Sequence, residues 1–121
     1  MTDESVTSTL SLNGEDLIRL SDLIVPEACQ SMTEVRAGVD ELDRILVTLL
    51  ARRQRFMMAA ARIKPEFHQV RDKARIEDVV QKVLTEARAK GLSPTIAEPV
   101  WRELIERCIA FEGETWARLR S

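Results

Sequence analysis

One stretch decides the fold: residues 31–64, SMTEVRAGVDELDRILVTLLARRQRFMMAAARIK. Its apolar residues recur with alternating spacings of four and three, which places them along one side of a helix. A single cation, Arg53, interrupts this apolar seam. The period predicts that the seam is buried against other helices. The seam consists of Val35, Val39, Leu42, Leu46, Leu49, Phe56, Ala60 and Ile63.

Local signals mark both ends of this helix. Ser31 and Glu34 have the S-x-x-E spacing of a capping box, and Pro65 disfavours helical geometry at Lys64. A helix of roughly 30 residues is about 45 Å long. Two shorter helices of the same chain cannot cover a seam of that length. We therefore expect an intertwined homodimer, in which the long helices of two chains lie side by side.

A second helix is predicted after a short connection that carries the only histidine, His68, which on its own does not indicate a metal site. This helix should begin at about Asp72 as N-cap and end at Lys90, with Gly91 as the residue after its end. Its apolar face comprises Ile76, Val79, Val80, Val83, Leu84 and Ala87.

A third helix is predicted from the Ser93 cap, with Pro94 in its first position, to about Leu119. Pro99 lies in its first turns and is expected to kink or delay it. No alternating strand pattern occurs in the sequence. The predicted fold class is therefore all-α, a three-helix protomer with one long N-terminal helix. The apolar side of the third helix is marked by Trp101, Leu104, Ile105, Cys108, Phe111 and Trp116.

The predicted domain organisation is an extension, residues 1–30, followed by a helical domain, residues 31–121. The extension is expected to be partly flexible, because its first twelve residues are rich in serine and threonine. The segment from Gly14 to Val25 is interpreted either as a short amphipathic helix or as an ordered loop. No chemistry is assigned to the extension.

Composition argues against several function classes. Of the 121 residues, 45% are hydrophobic and 31% are charged, which is typical of a soluble globular domain. Aromatic residues make up 4%, tyrosine is absent and the net charge is −2, so neither a base-stacking surface nor attraction to nucleic acid or acidic membranes is expected. No apolar run has membrane-spanning length. Cys29 and Cys108 lack metal-ligand spacing, and together with the acidic start of the chain they favour a reduced, cytoplasmic protein.

Three cations of the long helix are candidates for a site. At about 100° per residue, Arg53 and Lys64 share a face of the helix, some 16 Å apart. Arg36 lies roughly 100° away from Arg53 and about 25 Å distant. Within one straight helix, Arg36 therefore cannot serve the same pocket as the other two cations. It could do so from a second copy of the chain.

Two charged residues lie on apolar faces, and each has two interpretations. Arg53 forms either a structural ion pair with an acid of another helix or, together with Lys64, part of a site for an anionic ligand. Glu112, four residues after Cys108, forms either an ion pair with Arg53, a rim position, or a partly buried acid that stays protonated and donates a hydrogen bond. For Cys108 we favour the core over a nucleophile, and for Asp72 the N-cap over a ligand contact.

These residues together resemble the all-helical class of chorismate mutases. The resemblance rests on an ordered set of motifs and covers about residues 31–119. The set comprises Glu34-Val-Arg36 opening the long helix, Leu50-Ala-Arg52-Arg53 midway, Lys64 at its end, Val70-Arg-Asp72-x-x-Arg75 and Gly91-Leu92 around the second helix, and Cys108 and Glu112 in the third. It implies rearrangement of chorismate to prephenate in the shikimate pathway to aromatic amino acids, with no cofactor, metal or covalent intermediate.

The resemblance also implies a role for each candidate residue in an intertwined dimer. Arg36 from the partner chain and Arg53 would bind the two carboxylates of the substrate. Lys64 would donate to the ether oxygen, where negative charge grows as the bond breaks. Asp72 would accept a hydrogen bond from the ring hydroxyl. Arg75 matches another active-site arginine, and Cys108 falls where a small polar residue lies near the substrate.

Two departures from the mutase pattern bear on the substrate. Glu112 stands where many mutases have a glutamine that donates to the ether oxygen. Ile76 stands where they have an acid that helps to hold the ring hydroxyl. The isochorismate-pyruvate lyases share the fold and the spacing from Arg36 to Gly91, so they are the alternative to the favoured mutase. A non-enzymatic dimerisation module is a third interpretation. In such a module the charged residues Arg53, Lys64 and Glu112 would have no role that explains their position on apolar faces.

Overall fold

The computed structural model describes residues 24–121, and within them every regular element is helical. Helix α1 runs over Met32–Ile63, α2 over Lys73–Lys90 and α3 over Pro94–Leu119. Two short 3₁₀ turns, Pro26–Ala28 and Phe67–Val70, precede α1 and α2. The prediction of an all-α chain with one long and two shorter helices is confirmed. The interpretation of residues 14–25 falls outside the described part except for Ile24 and Val25, which are not helical.

The ends of α1 lie where the capping signals put them. The hydroxyl of Ser31 accepts a hydrogen bond from the Glu34 N–H at 3.2 Å, and the Glu34 carboxylate accepts from the N–H of Gln30 at 2.9 Å. At the other end the Lys64 N–H donates to Ala60 O at 2.9 Å, after which Pro65 has no N–H to continue the pattern. The predicted helix over residues 31–64 is confirmed to within one residue at each end.

The chain divides into two compact units, one up to Arg53 and one from Gln54 to Ser121. In the described part of the first unit no residue of α1 is buried. Four of the five apolar side chains that the predicted seam has in this part of α1 are instead exposed by 37% to 52%, and Leu49 is half-buried. The four are Val35, Val39, Leu42 and Leu46.

In the second unit α2 and α3 form a helical hairpin with a small apolar core between them. The connection is tight because Gly91 adopts φ 75°, a left-handed conformation that glycine reaches at little steric cost, and Leu92 N–H then donates to Ala87 O at 2.8 Å. The predicted apolar face of α2 is confirmed as the face of this core. The buried residues are Val80, Leu84, Ala87, Ala97 and Ile105.

Pro99 does not delay α3. The helix begins at Pro94, behind the Ser93 hydroxyl that accepts from Thr95 N–H at 3.3 Å, and it continues through Pro99 to Leu119. The predicted delay is wrong because a proline this close to the N-terminus removes only one helical hydrogen bond. Ala97 and Ile105, on either side of Pro99, are both buried against α2 and hold this segment helical.

Candidate functional site

The second unit contains a buried ion pair between Lys64 and Glu112. Lys64 directly follows the end of α1, and its Nζ lies 2.7 Å from Oε2 of Glu112 on α3. The Glu112 side chain is only 5% exposed, whereas that of Lys64 is 30% exposed. The carboxylate is therefore enclosed by protein, and the ammonium group lies between it and solvent.

This pair resolves the interpretations of Glu112 in part. The sequence indicated an ion pair with Arg53, a rim position or a protonated donor, and the structure identifies Lys64 as a partner. A rim position is excluded, because Glu112 is 4% exposed. A carboxylate buried without a cation would be strongly unfavourable, and removing either member of a buried pair typically costs about 3–5 kcal/mol. The pairing was not predictable from spacing, because 48 residues separate the two side chains.

The backbone of Lys64 is held by two further residues of α3. The indole Nε1 of Trp116 donates to Lys64 O at 2.8 Å, and the guanidinium of Arg120 donates to the same oxygen at 2.8 Å. From the sequence, Trp116 was predicted only as part of the apolar face of α3, and no role was predicted for Arg120. The available signal was their spacing: Glu112, Trp116 and Arg120 follow one another at four-residue intervals and so share a face of α3.

A polar cavity of about 670 Å³ opens beside Lys64. Three lysine and arginine side chains and one histidine contribute to its wall, against a single carboxylate, that of Asp72. Its size lies in the range of small-molecule sites, and its charge favours an anionic ligand. Its lining residues are Lys64, His68, Gln69, Arg71, Asp72, Lys73 and Ala74.

Asp72 and Arg75 each have a structural partner. The Asp72 carboxylate accepts from the Arg75 N–H at 3.0 Å, so the interpretation of Asp72 as the N-cap of α2 is confirmed. The Arg75 guanidinium donates to the Asp78 carboxylate at 2.7 Å. Hydrogen bonds from Lys82 and from Arg75 lower the pKa of Asp78. Asp72 lines the cavity, whereas Arg75 is exposed on the first turn of α2.

One wall of the cavity is tied to α3 by a second ion pair. Arg71 donates to both carboxylate oxygens of Glu106, at 3.1 and 2.6 Å. This bidentate contact raises the pKa of Arg71 and lowers the pKa of Glu106, in each case first through the hydrogen bond. Neither Arg71 nor Glu106 was predicted from the sequence as a candidate, because the two residues are 35 positions apart and their pairing depends on packing.

The remaining candidates lie elsewhere on the helices. Arg36 is exposed near the start of α1, and Arg53 is half-buried further along it. Cys108 is half-buried on α3, one turn before Glu112. Of the predicted site residues, the structure brings together Lys64 with Glu112 by contact, and Lys64 with Asp72 around one cavity.

The described residues, 24–121, contain neither a candidate metal site nor a candidate membrane-spanning helix. No cluster of three or more histidine, cysteine, aspartate or glutamate side chains could hold a metal ion there. No helix in the same range is both long and apolar enough to cross a membrane.

Comparison with known proteins gives the chain a family. The family model described as chorismate mutase type II matches residues 35–113. The isochorismate pyruvate lyase of Pseudomonas aeruginosa is 25% identical over 95 residues, which cover 78% of this chain and 94% of that protein. No solved structure matches the chain significantly. Since the family model spans well over half of the sequence, the chain belongs to the type II chorismate mutase family.

Proposed function

We propose that the protein is a chorismate mutase that converts chorismate to prephenate in a site shared between two copies of the chain. The observation that carries the proposal is the Lys64 ammonium group, held at 2.7 Å by the buried Glu112 beside a cationic cavity of about 670 Å³. A cation fixed in this way is oriented before the substrate arrives. It can therefore stabilise negative charge that develops during the reaction without having to reorganise first.

The chemistry needs no group beyond such residues. In the rearrangement the ether C–O bond breaks while a C–C bond forms within the same molecule, so no atom enters or leaves. Lys64 would donate to the ether oxygen, where charge accumulates. Arg53 and the partner chain's copy of Arg36 would bind the two carboxylates, for which the planar guanidinium is well suited. Binding in this way selects the compact conformer from which the rearrangement proceeds.

Three further residues have proposed roles around the ring of the substrate. Asp72 would accept from the ring hydroxyl with the carboxylate oxygen that does not cap α2. Arg75 would join the site by exchanging its surface partner Asp78 for the substrate. Cys108 would contact the ring from α3, one turn before Glu112. These three assignments are expectations that come from the family pattern.

The shared site is supported by the exposure of α1 in the single chain. Its apolar seam is left open to solvent, with Val39 50% and Leu46 52% exposed. Exposed apolar residues in such a row are typical of an interface with another helix. A second copy of α1 would cover the seam and would bring a second Arg36 with it.

A second candidate function is an isochorismate-pyruvate lyase, and the Pseudomonas aeruginosa relative favours it. In that reaction the ether C–O bond breaks, a ring hydrogen moves to the departing side chain, and salicylate and pyruvate result. The presence of Ile76 in place of an acid also removes one contact expected for the chorismate hydroxyl. Retention of Asp72 and Arg75 favours the mutase.

The deciding experiment offers the purified protein chorismate and isochorismate separately. We expect prephenate from the first; salicylate with pyruvate from the second alone would establish the lyase instead. Lys64→Ala should lower turnover by about 10²-fold, the usual effect of removing one preorganised donor. Lys90→Ala, which removes an exposed lysine that pairs with Glu86 at the end of α2, is the matched control and should retain full turnover. Absence of both products would refute both enzymatic functions, whereas equal turnover by the Lys64→Ala protein would remove Lys64 from the mechanism.

Complementation tests whether the site is shared. Arg36→Ala and Arg53→Ala should each be inactive, but after subunit exchange a mixed dimer carries one site with both lesions and one with neither. Random exchange of equal amounts should therefore restore about a quarter of wild-type turnover. If exchange is demonstrated by mass spectrometry of tagged chains and turnover stays at the level of the parents, the site is not shared.

A further inference from the structure

The end of α1 is capped from the far end of α3. The last carbonyl groups of an α-helix have no partner within the helix. Here Arg120 donates to Ala61 O at 3.0 Å, to Arg62 O at 3.3 Å and to Lys64 O at 2.8 Å. Trp116 adds its indole hydrogen bond to Lys64 O at 2.8 Å. The positive guanidinium also lies at the negative end of the helix dipole, which is favourable.

These two side chains are themselves fixed against each other. The guanidinium of Arg120 lies 4.2 Å from the centroid of the Trp116 ring, a cation–π contact, and it also donates to Trp116 O at 3.2 Å. The Trp116 ring packs edge-on against Phe67, with centroids 5.5 Å apart. Phe67 belongs to the 3₁₀ turn that leads into the wall of the polar cavity. We call Trp116 and Arg120 together the carbonyl clasp.

Lys64 is therefore held at both ends by one face of α3. Glu112 binds its ammonium group, while the clasp binds its carbonyl oxygen. Residues 112, 116 and 120 lie about 40° apart on the helix, so one rigid surface fixes both the origin and the tip of the side chain. A lysine whose backbone shifts by 1 Å at this point would carry its ammonium group out of line with a bound substrate.

We propose that Trp116 and Arg120 are positioning residues, which set the direction of Lys64 in the cavity. The kinetic test of this proposal rests on the proposed function, because it measures turnover. The NMR test does not, because it follows Lys64 without a substrate. A purely structural cap would lower the stability of the protein without acting through Lys64. A positioning role predicts that the effect on turnover disappears once Lys64 itself is removed.

The kinetic test uses Trp116→Phe, which keeps an aromatic ring and loses the N–H donor, and Arg120→Gln. Each should lower kcat about tenfold with KM changed less than twofold, since a small misplacement of a catalytic group is costly. In a Lys64→Ala background the same substitutions should lower kcat no further. Arg102→Gln is the matched control, because this arginine of α3 binds Glu77 and Glu98, and its loss should leave kcat unchanged. An equal loss of kcat with and without Lys64 would overturn the proposal.

The structural test follows the Lys64 ammonium group by NMR in protein labelled with ¹⁵N-lysine. In the wild-type protein its protons should exchange slowly with water, because Glu112 holds them; in Arg120→Gln they should exchange several times faster. Slow exchange in both proteins would overturn the proposal. If exchange is faster in Arg120→Gln but the wild-type protein converts neither substrate, the positioning of Lys64 by the clasp is supported and the proposed function is refuted. If Arg120→Gln does not fold, Trp116→Phe gives the same comparison.

Discussion

The two ends of α1 differ in how far their side chains are buried by the rest of the same chain. At its C-terminal end, Ala61 is fully buried, and the helix carbonyls beyond it are bound by α3. In the part before Arg53, the described residues of the helix include none that is buried, and the apolar seam faces solvent. A helix with stable ends and an open apolar side is typical of a surface that a second chain completes. The C-terminal end of α1 is therefore packed within its own chain, whereas the part before Arg53 leaves apolar side chains exposed.

The largest effect is expected from a charge introduced into the apolar seam of α1, which tests whether the seam is an interface between two chains. Leu46→Asp should leave the chain monomeric and lower turnover to about 1% or less, because an aspartate enclosed by an apolar interface is strongly unfavourable. Thr48→Asp is the control: it introduces the same charge two residues on, about 200° round the helix. It should leave both properties near wild type. A dimeric, active Leu46→Asp protein, measured by sedimentation and by prephenate formation, would contradict the assignment of the seam.

A second comparison sets one valine of each region side by side. Val80 is 0% exposed in the core of α2 and α3, whereas Val39 is 50% exposed on α1. In the monomeric Leu46→Asp chain, Val80→Ala should lower the free energy of unfolding by about 2 kcal/mol, from lost burial and the cavity it leaves. Val39→Ala should lower it by less than about 0.5 kcal/mol. Urea titrations measure both, and equal losses would mean that the seam is already covered within one chain.

Substitution of Glu112 sharpens the account of the closed end. The side chain at position 112 can accept from Lys64 through an oxygen, and it can also donate to the substrate only if it carries an N–H or O–H group. Glu112→Gln keeps an accepting oxygen and has an N–H donor, whereas Glu112→Ala has neither. We expect Glu112→Gln to retain turnover and Glu112→Ala to lower it by about tenfold, the effect of losing one hydrogen bond to a charged group. Equal losses in the two variants would leave Glu112 the role of ion-pair partner alone.

The smallest expected effect concerns the exposed pair of Arg71 and Glu106. The hydrogen bond from Arg71 lowers the pKa of Glu106 from its ordinary value of 4.5, so the folded protein binds the proton less readily than the unfolded chain. The stabilisation is therefore complete above about pH 4.5 and is lost as the pH falls through the lower folded pKa. Both Glu106→Gln and Arg71→Gln should slightly flatten the acid limb of stability in thermal melts. A flattening in only one of them would mean that the pair is not its cause.

Local signals were enough to predict the helices. Ser31 and Pro65 mark the ends of α1, and Asp72 and Gly91 mark the ends of α2. Caps act over three or four residues and can therefore be recognised in the sequence. The predicted delay of α3 at Pro99 was wrong because burial of its neighbours outweighs the loss of one hydrogen bond.

The site was predictable only in its residue types. Charge on an apolar face singled out Glu112, but its partner Lys64 depends on how α3 packs against the end of α1. The four-residue spacing of Arg120 from Trp116 places both on one face of α3 but does not identify their partners, since an arginine near a helix end is ordinary until the carbonyl groups it binds are known. The pairs of Arg71 with Glu106 and of Arg75 with Asp78 were likewise decided by rotamers and packing.

The carbonyl clasp also has a consequence for the order in which the chain folds. The hairpin of α2 and α3 closes over the short turn at Gly91, so little chain entropy is lost in forming it. The contacts of Arg120 with Ala61 and of Glu112 with Lys64 instead span 59 and 48 residues. Loop closure therefore favours the hairpin as the folding nucleus, with the end of α1 docking onto it afterwards. The lysine on which the proposed chemistry depends would acquire its fixed position only in that later step.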